Sequence, residues 1–244
     1  MRRILGADGR ELLQVRLPLG IEQYELQGRP DGLRPEGYES WLEYYRARLK
    51  EYCATHGSDR GFVIDTEAMR RLEEEGMLYY HRYLLCFQIG ELDIVLRDTE
   101  RNMELFTFVG KYAPSEEEGT NLTQYWPYIL RIHATARAMQ RLAAGDQAGV
   151  LEILEKARHR IRTLTPVPTQ VFAHERKRSL DALQALIRQL RGKRPPSEKE
   201  LLQRRMRAAI AREDYERAAR IRDMIRRLDE SGHDARPGDE DSRA

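Results

Sequence analysis

The pattern of apolar residues divides the chain into a short extended segment and a long helical segment. Between Leu13 and Leu19, apolar residues alternate with others, which is the period-two pattern of a half-buried strand. Pro18 inside this run favours an edge position, and Gly20 favours a bulge or bend. Turn-forming residues follow at 28–32. We therefore predict that residues 1–38 form a small β-hairpin or an extended arm laid on helices.

From Ser40 onward the apolar residues recur at helical spacing. A capping box at Ser40 and Glu43 begins the first helix, and Gly57 can end it. Only Gly90 and Glu91 separate the second helix from the third, so these two are expected to form an antiparallel pair. The helices predicted after the first run over about 66–89, 92–112, 126–144, 147–163 and 169–191.

Two of the helix breaks resemble each other. The segment from Gly90 to Leu96 aligns without a gap with the segment from Gly145 to Leu151, and each joins two apolar helices across a glycine and an acidic residue. Paired helices of this kind resemble tetratricopeptide-like hairpins. The sequence leaves two alternatives for residues 39–191, namely two such hairpins or an ordinary irregular helical bundle.

A basic, proline-containing linker at 192–196 separates this helical domain from a C-terminal module. Ser197 and Glu200 form a second capping box, and Asp214 can cap a second helix. The pattern predicts a helical hairpin over 197–230, followed by an acidic tail at 231–244 that is expected to be disordered.

The hairpin carries a family resemblance. The run Met206-Arg207-Ala208-Ala209 is followed at 213–225 by the sequence EDYERAARIRDMI. Together they resemble the UVR motif of UvrB and UvrC, whose hallmark is an acidic-aromatic-Glu-x-Ala-Ala-x-x-Arg-Asp-x-Ile string after a first helix. Tyr215 stands where phenylalanine is usual. The arrangement of the remainder resembles bacterial UVR-motif proteins of unassigned function.

This resemblance implies a binding module, and elementary physics gives the reason. Two short helices in isolation bury too little apolar surface to fold firmly, because chains below about 40 residues usually need a partner or another support. The residues expected to contact that partner are Met206, Tyr215, Ala218, Ala219, Ile221, Arg222, Asp223, Ile225 and Leu228. The alanines permit close backbone approach, and Arg222 with Asp223 could orient the pairing or form ordinary exposed ion pairs.

Composition and charge narrow the class of protein. Of the 244 residues, 34% are charged and 41% are hydrophobic, which suits helices with wide solvated faces. The net charge is only +2, although residues 191–230 carry 13 basic and 8 acidic residues. The two cysteines, Cys53 and Cys86, are expected to be buried thiols. Because we find no signal peptide or apolar span, we expect a cytoplasmic protein that does not enter a membrane.

We find no catalytic, cofactor-binding or metal-ligating pattern in the sequence. The six histidines lack metal spacing, and no phosphate-binding glycine loop occurs. His81, near Tyr79, Tyr80 and Tyr83, is expected to have a hydrogen-bonded packing role. An unrecognised site with His81, Tyr83 and Glu100 is a remote alternative. The two aromatic clusters, Tyr79 to Tyr83 and Tyr125 to Tyr128, could be core or could line a peptide groove.

The sequence therefore predicts a mainly α-helical, non-catalytic interaction adaptor without cofactors. Its expected partners are another UVR hairpin, a Clp/McsB-type or UvrB/UvrC-type protein, or a second copy of the chain. The alternative is an accessory factor of excision repair that contacts DNA or repair proteins. Its candidate basic surface consists of Arg204, Arg205, Arg207, Arg212, Arg217, Arg220, Arg226 and Arg227, interrupted by acidic residues.

Overall fold

The computed structural model describes residues 1–193, 198–211 and 214–231. The chain divides into two compact units, of which the first is Met1–Arg188 and the second begins at Gln189. The fold is mainly α-helical with a small N-terminal antiparallel sheet, as the sequence predicts. No helix within the described ranges has the length and apolar character needed to cross a membrane.

The N-terminal arm is a three-stranded antiparallel sheet, one strand more than a hairpin. Its strands are β1 (Arg2–Leu5), β2 (Glu11–Leu17) and β3 (Gly20–Glu25), in that order across the sheet. Pro18 is not inside a strand as predicted, and of the two alternatives for Gly20 the chain shows a bend and not a bulge. Pro18 lies in the tight turn between β2 and β3, where Leu17 pairs with Gly20, so it removes no hydrogen bond from either strand.

Seven helices of the first unit follow a 3₁₀ turn at Pro35–Gly37. Side-chain oxygens cap five of them at the N-terminus. Ser40 accepts from the N–H of Glu43 at 3.2 Å, as predicted, and Asp65, Ser115, Asp146 and Thr169 act in the same way. The helices are α1 (Trp41–His56), α2 (Thr66–Gln88), α3 (Leu92–Tyr112), α4 (Glu116–Thr123), α5 (Trp126–Ala143), α6 (Gln147–Arg162) and α7 (Gln170–Lys193).

Two helical hairpins, α2–α3 and α5–α6, are present where the repeated glycine-acidic break predicts them. Gly90 and Gly145 both adopt positive φ, near 79° and 78°, a conformation that favours glycine over residues with a Cβ. The short helix α4 lies between the hairpins in sequence and was not predicted. The tetratricopeptide-like arrangement stays a prediction.

The sheet packs on the helices through one apolar cluster. Leu13, Val15 and Tyr24 project from the sheet, and their core partners come from α2, α3 and α5. A second cluster joins α1 to α2, α3 and α4. The alternation along β2 therefore buries one face of the arm, which agrees with its predicted position on the helices.

Buried charges reinforce this packing. The fully buried Arg82 donates Nε and Nη2 to the two oxygens of the fully buried Asp98, at 2.7 and 2.8 Å, and Nη1 to the backbone oxygen of Glu25. Glu75, also fully buried, accepts from the N–H groups of Trp41 and Leu42 at the start of α1. These carboxylates and guanidinium groups connect the arm, α1, α2 and α3.

The second unit contains the helices α8 (Glu198–Ala211) and α9 (Tyr215–Ser231). Asp214 caps α9 as predicted, because its Oδ1 accepts from the N–H of Arg217 at 3.1 Å. Residues 192 and 193 of the predicted linker continue α7. The rest of that linker, Ser197 of the second capping box and residues 232–244 of the predicted tail lie outside the described residues.

Candidate interaction surfaces

The inner face of the C-terminal hairpin is built from small and apolar residues at helical spacing. Leu202 and Ala209 of α8 are buried, and so are Ala218 and Ile221 of α9. Ala219, Ile225 and Leu228 are half-buried, as is Met206 on α8. Ala218 and Ile221 are thus buried in the single chain, and their contact with a partner stays a prediction.

Large apolar side chains remain on the outside of the hairpin. Tyr215 is 67% exposed, Met224 49%, Ile210 47% and Leu201 40%. Tyr215 is among the predicted contact residues, whereas Leu201, Ile210 and Met224 are not. Their apolar character was visible in the sequence, but the hallmark string of the motif does not include Leu201, Ile210 or Met224.

Charged residues on α9 form pairs within the helix. Arg222 donates to the adjacent Asp223 at 3.3 Å, and Arg226 lies 3.9 Å from the same carboxylate. Glu216 pairs with Arg220 at 3.9 Å. The exposed residues of the predicted basic surface are Arg205, Arg207, Arg217, Arg220, Arg226 and Arg227. This surface mixes both signs of charge along α9, and the side chains of Arg204 and Arg212 lie outside the described residues.

In the first unit, the two predicted aromatic clusters contribute to one cavity of about 520 Å³. Tyr80 and Tyr83 come from α2, and Tyr125 and Tyr128 come from the start of α5. Tyr80 is the centre of the group, with ring centroids 5.5 Å from Tyr83 and 6.0 Å from Tyr128. Trp126 instead packs edge-to-face on Phe106 of the core. Trp126 thus belongs to the core, whereas the role of the tyrosines as a peptide groove stays a prediction.

The polar residues of this cavity come from several helices. Glu175 and Arg178 belong to α7, Glu73 to α2 and Asn121 to α4. Glu73 accepts from Asn121 at 2.9 Å, while the buried Oε2 of Glu175 has no hydrogen-bond partner among the described residues. Burial raises the pKa of Tyr128, and no sequence pattern indicates that Glu175 lies near it.

The residues of the remote catalytic alternative have different neighbours. His81 is exposed, with its ring centroid 5.4 Å from that of the adjacent Tyr80, which does not support the predicted hydrogen-bonded packing role. Glu100 is also exposed and lies 3.8 Å from His133 Nε2. Cys86 is buried as predicted, but Cys53 is only half-buried. Within the part of the chain that the structure describes, no three histidine, cysteine or acidic side chains gather where they could hold a metal ion.

Comparison with protein-family models identifies residues 197–231 as a UvrB/uvrC motif. The C-terminal region of the chain therefore contains this motif, as the hallmark string predicts. Searches of curated proteins and of solved structures gave no significant match. The resemblance of residues 1–196 to other UVR-motif proteins stays a prediction.

Proposed function

We propose that the protein is a non-catalytic adaptor whose C-terminal hairpin binds another protein, most simply a second UVR-type hairpin. The observation that carries this proposal is the exposure of four large apolar side chains on a unit that matches the UvrB/uvrC motif. The second hairpin could belong to a second copy of the chain, to a UvrB/UvrC-type protein or to a Clp/McsB-type protein.

The energetics of a two-helix unit support this proposal. The hairpin has one narrow buried stripe, from Leu202 and Ala209 to Ala218 and Ile221. Burying apolar surface contributes about 25 cal/mol per Å², so covering further large apolar residues on association would add stability that two helices cannot supply alone.

Charge supports a specific orientation of the bound hairpin. Arg222 and Asp223 are adjacent and partly exposed on α9. In an antiparallel pair of two copies, the guanidinium of each copy could reach the carboxylate of the other, which exchanges two internal pairs for two intermolecular ones. Such pairs select a partner and its orientation more than they add affinity.

A double substitution on the exposed surface tests the proposal. Ile210→Glu with Met224→Glu places two charges among the exposed apolar residues without touching the buried stripe. Ala208→Glu, at an exposed position on α8, is the matched control. We expect at least a tenfold loss of association for the double variant and little change for the control. Sedimentation equilibrium measures self-association, and isothermal titration measures binding to purified UvrB/UvrC-type and Clp/McsB-type proteins.

The proposal would be wrong if the wild-type chain neither self-associates nor binds these proteins, or if the double variant binds as tightly as the control. The predicted alternative, a repair factor that contacts DNA, is tested in the same series. Binding to a damaged duplex is measured at two salt concentrations, because phosphate contacts weaken steeply as salt rises. Strong duplex binding near physiological salt that is unaffected by the double variant would favour this alternative over the adaptor.

A further inference from the structure

We propose that the tyrosine-lined cavity of the first unit, here called the tyrosine groove, binds a lysine or arginine side chain of a partner peptide. Its tyrosines are Tyr80, Tyr83, Tyr125 and Tyr128, and its buried carboxylate is Glu175. This inference deepens the adaptor proposal, because it names the chemistry of a second partner that would bind the helical body. It uses residues of the first unit alone.

The Glu175 carboxylate in the groove is largely buried and only partly paired. Its side chain is only 13% exposed, and its Oε2 is buried without a hydrogen-bond partner among the described residues. Arg178 reaches the carboxylate at 3.5 Å, but its own side chain is 61% exposed. A buried carboxylate oxygen without a donor is costly, so native sites normally supply one. A cationic side chain entering the groove would bring a further positive charge beside this carboxylate, in addition to that of Arg178.

The walls of the groove are tyrosine rings, which can bind a cation. Tyrosine faces attract ammonium and guanidinium groups through the ring quadrupole, most strongly where water is excluded. Tyr83 is almost fully buried, and Tyr80 lies edge-to-face on it. Arg131 already lies over the ring of Tyr128, 5.2 Å from its centroid, while its Nε donates to Ser179. A cation is therefore already accommodated beside one wall of the groove.

The volume of the groove and the residues at its rim suit a basic side chain with apolar neighbours. A cavity of about 520 Å³ is within the range that binds small ligands or side chains. The rim carries Met77 and Tyr125, which are 49% and 40% exposed. Glu73 adds a second carboxylate, so the acidic groups lining the groove outnumber the basic one, Arg178. A peptide with a basic side chain between apolar neighbours is complementary to this arrangement.

The test uses the full chain and four pools of immobilised nonapeptides. The central residue is fixed as lysine, arginine, norleucine or glutamate, and the flanking positions are randomised. Fluorescently labelled wild-type protein is titrated onto each pool at constant ionic strength. The variant is Glu175→Gln, which keeps the side-chain shape but removes the charge. The matched control is Glu152→Gln, which removes an exposed carboxylate paired with Lys156 on α6.

We expect saturable binding to the lysine or arginine pool, at least about tenfold tighter than binding to the norleucine and glutamate pools, because charge-assisted hydrogen bonds are the strong ones. Glu175→Gln should remove most of that preference, and Glu152→Gln should leave it unchanged. Equal binding to the norleucine and lysine pools would overturn the proposal. So would the absence of saturable binding, or a preference that survives Glu175→Gln in a variant with wild-type circular dichroism.

The result of the peptide titration can be distinguished from the result of the hairpin experiment. The Ile210→Glu, Met224→Glu variant alters only the second unit, so it should retain the lysine or arginine preference of the groove. If that variant loses hairpin association and keeps the preference, both proposals stand. If the wild-type chain associates through its hairpin but shows no lysine or arginine preference, the tyrosine groove alone is overturned.

Discussion

The fully buried pair of Arg82 and Asp98 connects α2, α3 and the N-terminal sheet, and its disruption gives a sharp prediction. Asp98→Asn preserves the size of the side chain but turns one acceptor oxygen into an amide donor. That donor would face an N–H of Arg82, now 2.7 or 2.8 Å from an oxygen, and would leave the buried guanidinium without its counter-charge. Removing one partner of a buried ion pair typically costs about 3–5 kcal/mol.

In a domain of this size each kcal/mol shifts the melting temperature by about 2–4 °C, so we expect a loss of roughly 6–20 °C. Calorimetry and urea unfolding measure the change. The matched control is Glu104→Gln, also on α3, whose partner Arg46 is 3.1 Å away at the surface. An exposed pair contributes at most about 1 kcal/mol.

The reasoning would be refuted if Asp98→Asn destabilised the protein no more than Glu104→Gln does. A double-mutant cycle with Arg82→Met separates the pair from the individual side chains. We expect the double variant to lose less stability than the two single variants added together, because neither charge is then left buried alone.

Three further predictions concern single positions. Gly76→Ala should raise the free energy of unfolding by about 0.5–1 kcal/mol in urea titrations, because alanine is the better helix former and its Cβ would meet only ordinary contacts, the nearest at 3.8 Å. A thiol reagent followed by mass spectrometry should label the half-buried Cys53 first, since burial raises the pKa of Cys86 to about 11, and rapid labelling of Cys86 in the native protein would contradict this. Burial lowers the pKa of His133 below the ordinary histidine value of 6.5, so the unfolded chain takes up the proton more readily. Stability should fall as pH drops through about 6.5, and His133→Gln should flatten the urea-measured profile in that window, which an unchanged profile would disprove.

The sequence was most informative where apolar spacing and capping residues coincide. Ser40 and Gly57 delimit α1, and the predicted bounds of α3, Leu92–Tyr112, match the structure. Helix α4 was missed because among its residues only Gly119 and Leu122 are buried, which gives no apolar stripe. The strand pairing of the arm was missed because it depends on long-range partners that a period-two pattern does not specify.

Buried charges were the hardest features to predict. Glu75 lies in a run of three glutamates that reads as a solvated helix face, yet it is fully buried and accepts from the backbone of α1. Its burial depends on Arg29 and Arg101, which are distant in sequence and donate to the same carboxylate. The partners of Glu75, like those of Arg82, come together only once the arm is laid on α2 and α3.

The hairpin surface and the tyrosine groove could each be predicted only in part from the sequence, for the same physical reason. The spacing of Ala218 and Ile221 shows that they share a stripe, but not whether that stripe faces the other helix of the hairpin or a partner. Tertiary packing decides this, and in the structure the residues of the stripe are buried inside the hairpin. The tyrosine groove likewise combines side chains from α2, α3, α4 and α5, and Glu175 enters it from α7 without any local motif.

The two units therefore couple folding to binding in different ways. The first has two apolar clusters and a buried ionic network, so it can be stable before it meets a partner, and a ligand in the tyrosine groove would find its walls already formed. The hairpin has a single narrow stripe and exposes residues such as Tyr215 and Met224, so association would supply part of its stability. Substitutions in the first unit should then change partner binding without changing hairpin stability. In the hairpin, by contrast, loss of the partner should appear both as lost affinity and as lower helix content in circular dichroism.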